Sequence, residues 1–227
     1  MEDSIEDTFL IVRELQRGNF NVTFERVETA AAMRAALREQ IWDIILSDYS
    51  MPSFSGGEAL TLYQQSELDI PFIVVSGAMG EELAVQMLKA GAHEYVMKDN
   101  LSRLVPAVRH ELHAAQERRN RRRAEAVKAY LAAIVECCED AIIGQTMDGT
   151  VLSWNSGAER LYGYSALEMV GRSVSTLIPP YRPNELPEIL DRLGRGESVE
   201  NFETVRVRKD GTPVEVSETL SPIREQS

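Results

Sequence analysis

Five polar positions in this 227-residue chain carry the chemistry. They are the acidic pair Glu2-Asp3, then Asp48 after the apolar run Ile44–Leu46, Ser76 after FIVV, and Lys98 after YVM. Each of the last three stands where a short apolar strand gives way to a polar turn. Chemistry in open α/β sheets gathers just beyond the carboxyl ends of the strands. An aspartate placed there can attack phosphorus and become an aspartyl phosphate. Such a phosphoryl group calls for Mg²⁺, a hard cation held by one or two carboxylates, waters and phosphate oxygens. Glu2, Asp3 and Asp48 supply carboxylates, Lys98 a point charge for phosphoryl oxygens, and Ser76 a hydroxyl that can hydrogen-bond the phosphate.

The elements that must position them alternate. SIEDTFLIVRELQRG reads as a helix with Ile5, Phe9, Val12 and Gln16 on one face, widened by Leu10 and Leu15. VTFERVE (22–28) reads as a strand and TAAAMRAALREQ as a helix capped by Thr29. WDIILSD is a strand buried on both faces, GGEALTLYQQS a helix, IPFIVVSG a second buried strand, EELAVQMLKAGA a helix and HEYVMKD a short strand. Alternation of this kind implies a parallel sheet covered by helices.

From Asn100 to about Glu139 no turn signal interrupts the chain, so one long helix is expected. A heptad reading puts Val105, Val108, Leu112, Ala115, Arg119, Arg122, Ala126, Ala129 and Ala133 at the a and d positions, a coiled-coil seam interrupted by two arginines. Beyond it, Asp148-Gly149 and Asp210-Gly211 each sit between apolar runs as hairpin turns, with helical segments between the hairpins. In the second hairpin Val205, Val207, Val214 and Val216 alternate with polar residues. Hairpin, helices, hairpin describes an antiparallel sheet with helices on one side.

Composition sets bounds. The formal net charge is −12, distributed as −10 over residues 1–100, +5 over 101–133 and −7 over 134–227. Two acidic blocks around a basic connector argue against a surface that tracks nucleic acid. The ERRNRRRAE cluster has no interleaved aromatics and reads as a solvated helix face. The two cysteines, Cys137 and Cys138, are adjacent, which suits neither a disulfide framework nor spaced metal ligands and fits a reducing cytoplasm. No apolar run reaches the roughly 20 residues of a membrane span.

Residues 1–112, through EDS, LSDYSMP, VVSG and GAHEYVMKD, resemble a response-regulator receiver domain of flavodoxin-like, doubly wound α/β fold. The resemblance implies phosphorylation of Asp48 by a sensor histidine kinase or phosphotransfer protein. It implies Mg²⁺ held by Asp3, Asp48 and the Ser50 backbone carbonyl, with Glu2 acting partly through water, and a switch in which Tyr95 moves with Ser76. Asp99 stands after Lys98 where many receivers have proline. Residues 113–133 form the helical linker. Residues 134–227, through DAII, the DG turn, SWNSGAERLYGYSALEMVG and RVRKDGTPVEVS, resemble a PAS domain of α+β fold. Its ligand is not indicated: the absence of histidine after His113 argues against histidine-ligated haem, and no Asn-Cys-Arg marks the cysteinyl-flavin type. A homodimer through linker and PAS domain is expected. Both resemblances call for one more interior strand, before Glu2 and after the last hairpin. The expectation is therefore a piece of a longer signalling chain, such as a hybrid histidine kinase or cyclic-dinucleotide enzyme, or a sheet closed in another way. The alternatives are an inert interaction scaffold and an aspartyl-nucleophile phosphatase; the latter needs an acid at Ser50's position to protonate a leaving group.

Overall fold

The computed structural model describes residues 1–77 and 81–223. The chain separates into two units, Met1–Ala124 and Glu125–Ser227. In the first, α1 (Ile5–Arg17), α2 (Ala30–Glu39), β1 (Ile45–Ser47), α3 (Gly56–Gln65), β2 (Phe72–Ser76), α4 (Glu81–Lys89) and β3 (Glu94–Met97) follow one another, and a 3₁₀ turn (Lys98–Arg103) leads into α5 (Leu104–Cys137). The strands form a parallel sheet in the order β1-β2-β3, with Ser47 opposite Val74 and Ser76 opposite Met97. β2 is central because it can be: Phe72, Ile73, Val74 and Val75 are all fully buried. Each such side chain contributes about 1.5–3 kcal/mol of apolar burial. Alternation sends Phe72 and Val74 into a core with Met33, Leu60 and Tyr63, and Ile73 and Val75 into a second core with Ile11, Leu15, Leu104 and Val108.

Two sequence expectations change here. The segment 22–28 forms no strand. Between it and β1 lies a single rung: Met1 N donates to the Leu46 carbonyl at 2.6 Å, Asp48 N donates to the Met1 carbonyl at 2.9 Å, and Glu2 N donates to the Val27 carbonyl at 3.4 Å. With only Met1 and Glu2 interposed, residues 22–28 have no ladder long enough to make a strand. The buried face of α1 also differs. Ser4 caps the helix by accepting from Asp7 N, and Ile11 and Leu15 point inward, while Ile5 is 57% and Phe9 62% exposed. The apolar residues of α1 form too broad a band for periodicity to choose the inward side.

The long helix is continuous. Its first part gives Leu104, Val108 and Ala115 to the first unit's interior, so two expected seam positions, Val108 and Ala115, are spent there. The interrupting arginines have an owner: Arg118, Arg119 and Arg122 all reach Asp69, the first and third through its carboxylate and Arg119 through its carbonyl at 2.7 Å.

In the second unit, β4 (Ile143–Gln145) and β5 (Val151–Trp154) form one antiparallel ladder, and β6 (Val199–Val207) and β7 (Pro213–Leu220) another. Between them lie α6 (Ser156–Tyr162), α7 (Ala166–Met169), a 3₁₀ turn (Val174–Leu177) and α8 (Glu185–Gly194). Both Asp-Gly turns carry left-handed glycines, Gly149 at φ 82° and Gly211 at φ 86°. Trp154 and Tyr162 are buried core residues whose rings lie 5.6 Å apart. Asn155 binds the unit together, accepting from Ile142 N and Ala158 N and donating to the carbonyls of Val135 and Asp140. Thr204 and Arg206 are buried and Val205 and Val207 only half-buried, because Arg206 lies between Glu218 and Glu185 as a satisfied charge.

Candidate functional site: an acidic cluster around Lys98

The carboxyl ends of β1, β2 and β3 and the residues before α1 converge. Asp48 follows β1 and is 7% exposed; Glu2 is 4% exposed, and Asp3 is exposed beside it. One carboxylate oxygen from each of Glu2, Asp3 and Asp48 lies within 4.8 Å of the other two. Three acids so close repel unless a cation intervenes. In the described structure that cation is Lys98, whose Nζ lies 2.8 Å from Asp48 Oδ2, 2.8 Å from Glu2 Oε2 and 2.6 Å from Asp7 Oδ2. The Glu2 contact is ionic rather than a directed hydrogen bond. Burial works against the lysine charge, yet hydrogen bonds to Asp48 and Asp7 and the charge of Glu2 outweigh it and hold the ammonium above its ordinary range. Burial also raises the Glu2 carboxyl, opposed by Lys98 and by the Ser4 N–H that donates to Glu2 Oε1.

The local backbone explains these positions. Asp48 N is fixed by the Met1 carbonyl, and Asp48 Oδ1 accepts from Ser50 N at 3.2 Å. Below it, α3 starts with a Ser55–Glu58 capping box. Gly56 lets that helix approach: a Cβ there would lie 2.8 Å from both the Asp48 carbonyl oxygen and Tyr49 Cα. Arg26 donates to the carbonyls of Glu2 and Asp3, steadying the acidic pair.

Ser76 ends β2 one register position from Lys98, since its strand partner is Met97. It is 1% exposed and its Oγ has no hydrogen-bond partner among the described residues. A buried hydroxyl left unpaired costs on the order of 1–3 kcal/mol, so this one fits a partner that arrives with a ligand. Tyr95, on β3 opposite Val74, donates its hydroxyl to Met97 Sδ at 2.7 Å, and desolvation followed by the nearby Asp99 raises its pKa.

Glu2, Asp3, Asp48, Ser76 and Lys98 thus lie at one sheet edge, while Tyr95 sits earlier on β3, opposite Val74. Asp7 joins them and was missed. It precedes the buried Ile11 by four and Leu15 by eight residues, so it lies on the inward stripe of α1. The helical period carried that signal, but only once the buried face was known.

The donor set fits a hard divalent cation: carboxylate oxygens of a buried and an exposed acid and of an aspartate at a strand end, with no histidine or cysteine in the group among the described residues.

Known proteins bear on the same residues. The family profile for a response regulator receiver domain matches residues 1–109, and that for a PAS domain matches residues 139–227. The chain is similar to the phosphoglycerate transport system transcriptional regulatory protein PgtA of Salmonella typhimurium, 34% identical over 58 residues, which are 25% of this chain and 14% of the regulator's length. Among solved structures it is similar to a CheY-like response regulator receiver domain protein from Methanospirillum hungatei, at 24% identity and TM-score 0.45 over 52% of this chain and 93% of that one. It is also similar to a PAS domain from Colwellia psychrerythraea, at 24% identity and TM-score 0.41 over 44% of this chain and 85% of that one. The parallel sheet with its acidic edge in the first unit and the antiparallel hairpins of the second agree with the two profiles: the chain carries a response regulator receiver domain followed by a PAS domain.

Proposed function

We propose that Asp48 is the phosphoacceptor of this chain and that Glu2, Asp3, Asp48 and the Ser50 carbonyl hold Mg²⁺ for the transfer. The observation that carries the reading is the pairing of a three-acid cluster, two of its acids buried, with a lysine and a serine hydroxyl that has no partner among the described residues, at one sheet edge. One Asp48 carboxylate oxygen attacks the phosphorus of a phosphohistidine presented by a sensor histidine kinase or phosphotransfer protein. The O–P bond forms, the N–P bond breaks and the imidazole leaves with the electron pair. Mg²⁺, when bound, offsets charge on the phosphoryl oxygens. Lys98 turns from the acids to the phosphoryl group, and Ser76 Oγ donates to it. Tyr95, on the neighbouring strand, carries the change outward, and α5 passes it to the PAS domain. This chain's own residues accept a phosphoryl group rather than turn over a substrate.

Homodimerisation belongs to the same reading. Apolar side chains of α5 beyond the first unit, Val127, Tyr130, Leu131 and Ile134, stay exposed at helical spacing and suit a parallel helix pair. No helix among the described residues is long and apolar enough to cross a membrane, which is compatible with a cytoplasmic protein. The test is Mg²⁺-dependent binding of beryllofluoride, a phosphoryl mimic, followed by fluorine NMR. Saturable binding lost in Asp48→Asn supports the reading. Binding that survives the substitution refutes it and favours an inert interaction scaffold.

A further inference from the structure

Lys98 Nζ makes two directed hydrogen bonds, to Asp48 Oδ2 at 2.8 Å and to Asp7 Oδ2 at 2.6 Å, and meets Glu2 as an ion pair without one. In the transfer proposed above two of these acids have other work: Asp48 accepts the phosphoryl group, and Glu2 and Asp48 turn to the cation. Asp7 lies outside the group of Glu2, Asp3 and Asp48 whose oxygens converge within 4.8 Å. Of the lysine's two directed bonds, the one to Asp7 is therefore the one that survives when the acids change partner. An ammonium losing Glu2 and Asp48 to a second positive charge a few ångströms away is repelled by that charge. A carboxylate on its other side holds it against the repulsion.

The backbone fixes both members of this pair. Asp7 stands in the first turn of α1, where Ser4 Oγ accepts from its N–H at 3.2 Å, one helical turn before the buried Ile11. The Lys98 stem passes beside the end of β2, its Cδ 3.7 Å from where a Cβ on Gly77 would stand, next in sequence to Ser76. An acid in the first turn also favours the helix dipole, but Glu6, exposed in the same turn, serves that purpose and is not among the partners of Lys98. We propose that Asp7 is a positioning residue for Lys98. It retains the ammonium at the site when Glu2 and Asp48 turn to a divalent cation, so that the lysine is in place for the phosphoryl group. This inference rests on the phosphoacceptor reading of Asp48 and adds to it the residue that governs the lysine.

The test uses the full chain, Asp7→Asn, and Glu6→Gln as a control for charge on the same helix turn. Brief acylation with an acetyl ester of N-hydroxysuccinimide, mapped by mass spectrometry, reads how firmly Lys98 is held. Added Mg²⁺ should leave Lys98 protected in the unsubstituted chain and in Glu6→Gln. In Asp7→Asn it should speed labelling of Lys98 about five-fold or more, as an anchored side chain becomes mobile. At saturating Mg²⁺, beryllofluoride affinity by fluorine NMR should fall by a similar factor in Asp7→Asn and hold in Glu6→Gln. In a Lys98→Met background Asp7→Asn should not weaken beryllofluoride binding, because the anchor has no ammonium to hold. Mg²⁺-induced labelling of Lys98 in the unsubstituted chain, labelling indifferent to Asp7→Asn, or an equal loss of beryllofluoride affinity with and without Lys98 overturns the proposal. Failure of the phosphoacceptor reading looks different: the unsubstituted chain then binds no beryllofluoride, while Asp7-dependent protection of Lys98 would still support the anchor.

Discussion

Replacing Lys98 with methionine removes the cation that Glu2, Asp7 and Asp48 share, and the size of the effect follows from their surroundings. The Glu2 and Asp48 side chains are 5% and 8% exposed, so their charges have little water to fall back on. Breaking a buried ion pair by deleting one partner costs about 3–5 kcal/mol. Asp7 at 33% and Lys98 at 18% keep some solvent, which argues for the lower end, about 3 kcal/mol. At 1.4 kcal/mol per factor of ten, amides of β1 and β2 that exchange through unfolding of the first unit should exchange on the order of a hundred-fold faster. Hydrogen-exchange mass spectrometry reads the two units separately, and β6–β7 in the second should be unaffected. Mg²⁺ supplies the missing charge: at a hundred times its dissociation constant it restores about 2.7 kcal/mol. The unsubstituted chain gains less, because the ion there replaces a counter-charge already in place. Unchanged exchange in β2, or a Lys98→Met chain indifferent to Mg²⁺, would refute this electrostatic account.

Gly56→Ala puts a Cβ 2.8 Å from the Asp48 carbonyl oxygen, so the 48–49 backbone must move; beryllofluoride affinity should fall on the order of ten-fold, read by fluorine NMR. Arg206→Ala leaves Glu185 and Glu218 facing each other without their shared counter-ion and should cost the second unit about 3 kcal/mol, read as faster exchange in β6–β7. The triple change Arg206→Met with Glu185→Leu and Glu218→Leu should recover much of that loss, since it leaves neither glutamate charged without its arginine. Asn155→Ala removes a helix cap and three further hydrogen bonds and should cost about 2 kcal/mol in the same unit, by urea titration of Trp154 fluorescence. His93 accepts from Phe72 N through Nδ1, and burial depresses its pKa. The neutral ring is therefore favoured in the fold: its contribution is complete above about pH 6.5 and is lost as pH falls through the lower native value. His93→Gln should flatten that slope in urea titrations of the first unit across about pH 7 to pH 5.

Much of this was legible in residue order alone. The continuous apolar runs before Asp48 and in FIVVS marked strands, FIVVS buried on both faces and the run into β1 with Ile44 and Leu46 half-buried, and the polar residues ending them marked the site edge. The two Asp-Gly pairs named their hairpins because only certain residues take the left-handed turn positions. Residues 22–28 misled because β propensity describes a segment's fitness for a ladder and not whether a neighbour exists to pair with it. Helix α1 misled because its apolar band is wider than its contact, which also hid Asp7. Arg206 was invisible for a related reason: a strand with valines at one parity reads as burying them, and nothing local announces that glutamates from α8 and β7 will compensate an arginine at the other. The arginines of α5 read as breaks in a seam, and only the fold brings Asp69 beneath them.

The phosphoacceptor assignment is tested most directly by incubating the chain with acetyl phosphate and Mg²⁺, trapping the acyl phosphate with borohydride and mapping the reduced residue by mass spectrometry. Homoserine at position 48, dependent on Mg²⁺ and absent from Asp48→Asn, is the predicted result. Trapping at another carboxylate, or none at position 48 under conditions where Mg²⁺ binds, would contradict the account.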